Sequence, residues 1–220
     1  MIPLRDLNRS YTTPLVTMAI IAINVAVFLY QATLDPFSGN HFIMEYGLVP
    51  ARFHFSALVT SMFLHGGWLH LIGNMWFLWI YGDNIEDVLG RGQFLFFYLA
   101  CGILAMASQM AVAPFSRIPN VGASGAIAGV MGAYLVKFPH ARIVTLFWFG
   151  LIFTLDVPAV LILAYWFILQ LFSGVGSVAE ASLRGGVAWF AHIGGFIAGI
   201  VLILVMRTRE AHLRRADLNW

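Results

Sequence analysis

Four polar side chains lie in segments that are otherwise apolar: His70 and Asn74 in one, Ser124 at the start of another, and His192 near the start of a third. A serine hydroxyl is a weak nucleophile until a base removes its proton, and neutral imidazole is the usual base near pH 7. Ser124 and His192 are therefore the candidate nucleophile and base. His70 and Asn74 stand four residues apart and share one helical face. Their side chains, with backbone N–H groups at the start of the Ser124 helix, are candidate donors to the oxyanion of a tetrahedral intermediate. Ionisable groups inside a membrane are costly and mark function by default, although Ser, Asn and His also serve as hydrogen-bonding glue between helices. Asp83, Glu86, Asp87 and Asp156 fall towards the opposite ends of their segments, so a Ser-His dyad is expected without an acidic third member. Gly-x-Ser-Gly opening an apolar helix does not match the strand-borne Gly-x-Ser-x-Gly elbow of α/β-hydrolases.

What must hold these residues is a bundle of membrane helices. Of 220 residues, 60% are hydrophobic and 10% charged, against about a quarter charged in soluble domains. A formal charge of +2 offers no case for a nucleic-acid partner. The lone Cys101 leaves neither a disulfide framework nor a cysteine metal site and reads as core filler. Six segments have the length and apolarity of spans: 14–31, 66–82, 94–113, 122–138, 157–173 and 187–206. The first is long for a signal-peptide core and no small-x-small cleavage site follows it, so it is expected to be retained. The expectation is an all-α polytopic protein with a single membrane domain over residues 1–220, its core about 14–206 and its tails short.

Charge sets the direction of the spans. Arg5, Arg9, Arg91, Lys137, Arg142, Arg207, Arg209, Arg214 and Arg215 share one side, against Arg52, Arg117 and Arg184 on the other. Both termini are therefore expected in the cytoplasm. His70, Asn74, Ser124 and His192 then all fall in the outer half of the membrane. The stretches 42–64 and 143–155 are too short or too polar to span and are assigned to the interface.

Gly122-Ala123-Ser124-Gly125 continuing to Gly129, and Ala191-His192-Ile193-Gly194-Gly195 continuing to Gly199, repeat small residues at the spacing that lets helix backbones touch. Close contact of spans four and six would bring Ser124 and His192 within hydrogen-bond reach. Ser173 to Ser177, with Gly185 and Gly186, suggests a mobile cap that gates the site together with span five. Asp83, Glu86 and Asp87 read as helix termination and packing near Arg91, and His65 as a structural hydrogen-bonder in the first loop. His41, His54, His140 and His212 read as interfacial or solvated. Three other classes compete: a transporter or channel, disfavoured because the polar residues cluster asymmetrically without internal repeats; a metal or haem protein built on His65, His70 and His192, whose spacing follows no strong metal motif; and a non-catalytic protein that recognises membrane helices without cutting them, disfavoured because Ser124 and His192 are both present.

From His65 to Gly199 the chain resembles the rhomboid proteases. The resemblance rests on His65-Gly66-Gly67 with Leu69-His70-Leu71-Ile72-Gly73-Asn74-Met75, on Gly122-Ala123-Ser124-Gly125, and on Ala191-His192-Ile193-Gly194-Gly195, in that order. It implies a six-helix rhomboid core, peptide hydrolysis without cofactor or metal, a Ser124-His192 dyad, and oxyanion stabilisation by His70, Asn74 and the Ser124 amide. Substrates would be single-span membrane proteins with a locally unstable helix, reached through the lipid bilayer. A prokaryotic plasma membrane is expected, with the site towards its outer face. The chain departs from many members in lacking a Trp-Arg pair at His54 to Ala57, and from some in carrying Ala128 where an aromatic residue packs against the histidine.

Overall fold

Apolar runs flanked by Pro, Gly and Asn satisfy their backbone polar groups internally by forming helices, the low-cost solution where water is scarce. In the computed structural model, which describes residues 2–148, 150–180 and 188–209, α1 (Leu15–Thr33) is followed by α2 (Pro36–Tyr46) and the short α3 (Ala57–Thr60). The remaining helices are α4 (Trp68–Leu89), α5 (Arg91–Val112), α6 (Ser124–Lys137), α7 (Ala159–Glu180) and α8 (Trp189–Val205). Every segment expected to span thus contains a helix. By length and composition α1 and α5 suffice to cross a membrane, while α6, Ala159–Phe172 of α7, and α8 are shorter apolar helices. Arg184, Gly185, Gly186, His212, Arg214 and Arg215 lie outside the described residues.

The mostly helical chain fits the expected all-α membrane class, with one addition. Strands β1 (Ile2–Asp6), β2 (Arg142–Trp148) and β3 (Ile152–Pro158) form an antiparallel sheet in the order β1-β2-β3. The stretch 143–155, expected as a plain interfacial segment, is therefore a hairpin. Its Ile143-Val144-Thr145 run is β-branched, which favours strand over helix, and Ile143 and Thr145 are fully buried. A second correction concerns Ser173 to Ser177, read as a loop: α7 continues helical through them to Glu180.

The core is organised around α6, whose residues from Gly125 to Tyr134 are all buried. It packs against α8, α5 and α4. The contact with α8 depends on absent side chains: a Cβ on Gly199 would overlap the Gly129 carbonyl, and one on Gly195 the Gly125 carbonyl. Cys101 of α5 fills the other flank, where a Cβ on Gly129 would meet its sulfur at 2.5 Å. On α1 the buried residues Thr17, Ile20, Asn24 and Phe28 form one stripe facing inwards. Ile23, Leu29, Trp79, Phe96, Leu161 and Val201 remain exposed on outer helix surfaces, an exterior suited to lipid rather than water.

The acidic end of α4 is saturated with partners. Glu86 accepts hydrogen bonds from the N–H groups of Val16 and Thr17 and from Thr17 Oγ1, at 3.0, 2.8 and 2.8 Å. Asp87 accepts from Tyr11 N–H, Thr12 N–H and Thr12 Oγ1, at 2.7, 3.2 and 2.6 Å. Glu86 thus caps the first turn of α1, whose own N-cap, Pro14, makes no side-chain cap, and Asp87 fastens the Tyr11-Thr12 segment just before it. Beside them, Asp6 of β1 accepts from Tyr134 Oη at 2.8 Å and Asn84 Nδ2 at 2.8 Å. Burial pushes the Asp6 carboxyl up to about 7, outweighing the Tyr134 hydrogen bond, and the nearby Asp83 adds to the rise.

Gly199→Ala should destabilise the chain by about 1–3 kcal/mol, the usual cost of overpacking, whereas Gly92→Ala, with nothing within 4 Å of the added carbon, should not; denaturant unfolding in detergent measures both. Because the folded value for Asp6 lies above its ordinary 3.8, the sheet's attachment is strongest below about pH 4 and weakens as pH rises to about 7. Limited proteolysis of the N-terminal strand should accordingly be faster at pH 8 than at pH 5, and Asp6→Asn should flatten the difference.

Candidate active site

The N-terminal ends of α4, α6 and α8 meet. Ser124 is the first residue of α6, His192 lies one turn into α8, and His70 and Asn74 occupy the first two turns of α4. Ser124 Oγ and His192 Nε2 are 2.8 Å apart, the separation expected of a nucleophile and its base. All four polar residues line one cavity of about 750 Å³, whose apolar walls include Phe77, Ile127 and Trp166.

Donors for an oxyanion converge beside the hydroxyl. A Cβ built on Gly122 would lie 2.8 Å from His70 Nε2 and 3.5 Å from Asn74 Nδ2, so both nitrogens face the turn that leads into Ser124. With φ at +121°, Gly122 adopts a backbone few other residues tolerate. The His70 ring is oriented by Gly66, whose N–H points at Nδ1 over a long 3.4 Å contact, leaving Nε2 to carry the proton towards Gly122. Asn74 Nδ2 is buried and has no protein partner among the described residues. A free buried donor is costly unless something completes it. The first-turn N–H groups of α6 add further donors, because Ala123 at the N-cap provides no side-chain cap.

The loop before Ser124 is fastened from two sides. Leu48 and Asn120 exchange backbone hydrogen bonds of 3.0 and 2.8 Å, and Gly122 N–H donates to Ser61 carbonyl at 2.9 Å. The His65 stretch is held through its backbone, which pairs with the Gln31 amide at 3.1 and 3.3 Å. Its imidazole lies edge-on to His70 with centroids 5.1 Å apart. Among the described residues no three His, Cys, Asp or Glu side chains are grouped to hold a metal ion.

Sequence reasoning missed one partner. His192 Nδ1 is 2.8 Å from Gln170 Oε1 on α7, while Trp166 and Trp189 flank the imidazole at centroid distances of 5.8 and 6.1 Å. Those rings occupy the role left vacant by Ala128. The signal for Gln170 is present in the sequence, since an amide in an apolar span meets the same criterion that selects Asn74, but only its place opposite His192 gives it a role. Asp6 and its neighbour Asp83 are remote. Tyr134, hydrogen-bonded to Asp6 at the acidic end, lies ten residues along α6 from Ser124, or about 15 Å at 1.5 Å per residue.

The Rhomboid domain family matches residues 52–209. Rhomboid protein 1, mitochondrial, of Saccharomyces cerevisiae is 31% identical over 191 residues, covering 83% of this chain and 51% of the relative. The human presenilin-associated rhomboid-like protein, mitochondrial, is 33% identical over 131 residues, 58% of this chain and 34% of the relative. Rhomboid protease GluP of Bacillus subtilis is 32% identical over 126 residues, 56% and 24% respectively. This chain thus spans about half or less of the length of these relatives. Mitochondrial names among them widen the range of compartments beyond the bacterial plasma membrane expected from sequence. The match takes in all of α3 to α8 together with Ser124, His192, His70 and Asn74, and on that extent the chain belongs to the rhomboid family of integral membrane proteins.

Proposed function

We propose that this chain is an intramembrane serine endopeptidase that cleaves peptide bonds in or near the transmembrane helix of single-span membrane proteins. The observation that carries the reading is the 2.8 Å contact between Ser124 Oγ and His192 Nε2 inside a cavity that the unpaired donor Asn74 Nδ2 also lines. Ser124 Oγ attacks the scissile carbonyl as His192 Nε2 takes its proton. Charge developing on the carbonyl oxygen is met by His70 Nε2–H, Asn74 Nδ2–H and the Ser124 amide. Collapse of the intermediate breaks the C–N bond, with His192 returning the proton to the leaving amine. Water then attacks the acyl-enzyme with His192 again as base, and Ser124 regains its proton as the acid product leaves.

The proposed setting is a single domain of six spans with both termini in the cytoplasm, which puts the dyad in the outer half of the membrane where water can reach it. The nine-to-three division of Lys and Arg supports that direction. Substrate approaches through lipid and must present an extended segment, because a regular helix hides its carbonyls in hydrogen bonds. Span five, here α7, is the proposed gate.

In proteoliposomes with a fluorescent single-span reporter, the wild-type chain should cut without added metal or nucleotide, and Ser124→Ala and His192→Ala should be silent while still folded. Cleavage by Ser124→Ala at the wild-type rate would refute the mechanism. Removing one oxyanion donor by Asn74→Ala should lower kcat about 100- to 1,000-fold with little change in KM, and steady-state kinetics on the same reporter test this.

A further inference from the structure

A serine protease, the reading on which this inference rests, requires more of His192 than proximity to Ser124. To act as base towards Ser124 the imidazole must present Nε2 without a proton, and so must carry its proton on Nδ1. A neutral imidazole in apolar surroundings has two tautomers, and only a partner at Nδ1 selects between them.

Gln170 is that partner. Its Oε1 is 2.8 Å from His192 Nδ1, and its Nε2 donates to the Trp166 carbonyl one turn earlier on α7, at 3.3 Å. The second contact fixes which end of the amide faces the ring. With the NH₂ group committed to a carbonyl, the oxygen points at His192, and an amide oxygen accepts but never donates. Nδ1 must then be the donor and Nε2 the acceptor for Ser124 Oγ–H. The side chain is 6% exposed and therefore well fixed.

We propose that Gln170 is a positioning residue of a Ser124-His192-Gln170 relay, its amide oxygen selecting the reactive tautomer of His192 and holding the imidazolium formed during attack. An amide suits this place better than a carboxylate, because it accepts the same hydrogen bond without the cost of a buried charge. The relay makes α7 a catalytic support as well as a wall. α7 supplies both Gln170 and the Trp166 ring against His192, so an outward shift of about 1 Å stretches the 2.8 Å bond beyond useful length. The base is competent only with α7 seated.

The test compares the full chain in proteoliposomes as wild type, Gln170→Met and Gln170→Glu, with Ser124→Ala as the reference for the protease reading. Gln170→Met keeps the side chain's length but has no oxygen acceptor, and should lower kcat about 10- to 100-fold, the weight of one hydrogen bond to a charged group, with KM within about twofold, since substrate contacts are untouched. Gln170→Glu keeps the acceptor and should recover about tenfold or more of that loss. In detergent, isotope-labelled histidine should give a downfield Nδ1–H resonance that Gln170→Met loses and Gln170→Glu retains. Wild-type kcat in a folded Gln170→Met, or equal loss in both variants, overturns the relay. If Gln170→Met does not fold, Gln170→Glu against wild type decides: a retained Nδ1–H resonance with recovered turnover supports the relay, and loss of both overturns it. Should Ser124→Ala cut like wild type, the protease reading fails, and the Nδ1–H resonance still settles the tautomer: unchanged in Gln170→Met, it overturns the assignment.

Discussion

The contact between α6 and α8, made backbone to backbone, is the constraint on which the site depends. Gly125 faces Gly195 and Gly129 faces Gly199 so closely that a methyl group at either position of α8 has no room. In a bilayer, apolar side chains gain little by leaving lipid for protein, so helices associate through tight packing and hydrogen bonds. Glycine serves both needs, since it brings the axes together and permits the polar tips of Ser124 and His192 to meet at 2.8 Å. A looser interface would leave the two residues on their helices but separate the hydroxyl from the imidazole nitrogen.

Polarity is divided between the two ends of the bundle. At the acidic end, Glu86 is satisfied by several donors from the first turn of α1, Asp87 by Tyr11 and Thr12 just before it, and Asp6 by Tyr134 and Asn84. That end is a clasp, with the sheet laid beside it. At the other end, donors are left incomplete: Asn74 Nδ2 has no protein partner among the described residues, and the first turn of α6 is uncapped by any side chain. A buried donor without a partner costs stability, so this end is where a bound group would complete the hydrogen bonding. One α6 helix links the two ends, with Ser124 at its start and Tyr134 near its finish.

His192 illustrates how a role can be filled by different means. The residue one turn after Ser124 is Ala128, too small to support a ring, and the imidazole is approached instead by Trp166 and Trp189, at centroid distances of 5.8 and 6.1 Å. Hydrogen bonding to Nδ1 comes from an amide on α7 and not from an acid. Orientation of the His192 imidazole therefore derives from three helices, α6, α7 and α8, and none of them could provide it alone.

Much of this was determined by sequence alone. Apolar run lengths located every long helix, because a segment without polar partners must close its own backbone hydrogen bonds. Four-residue spacing of small residues identified which helices touch, and polar types within those runs singled out Ser124, His192, His70 and Asn74. Tertiary structure decided the rest, and in each case the reason is distance along the chain. The 143–155 hairpin becomes part of a three-stranded sheet because β1, more than 130 positions earlier, pairs with β2, a long-range pairing invisible in a local window. Glu86 caps α1, about 70 positions away, since an orphaned helix start attracts whichever carboxylate folding brings to it. Gln170 acquired a meaning only when α7 settled against α8, because an amide's function lies in what its oxygen faces, and that is set by packing.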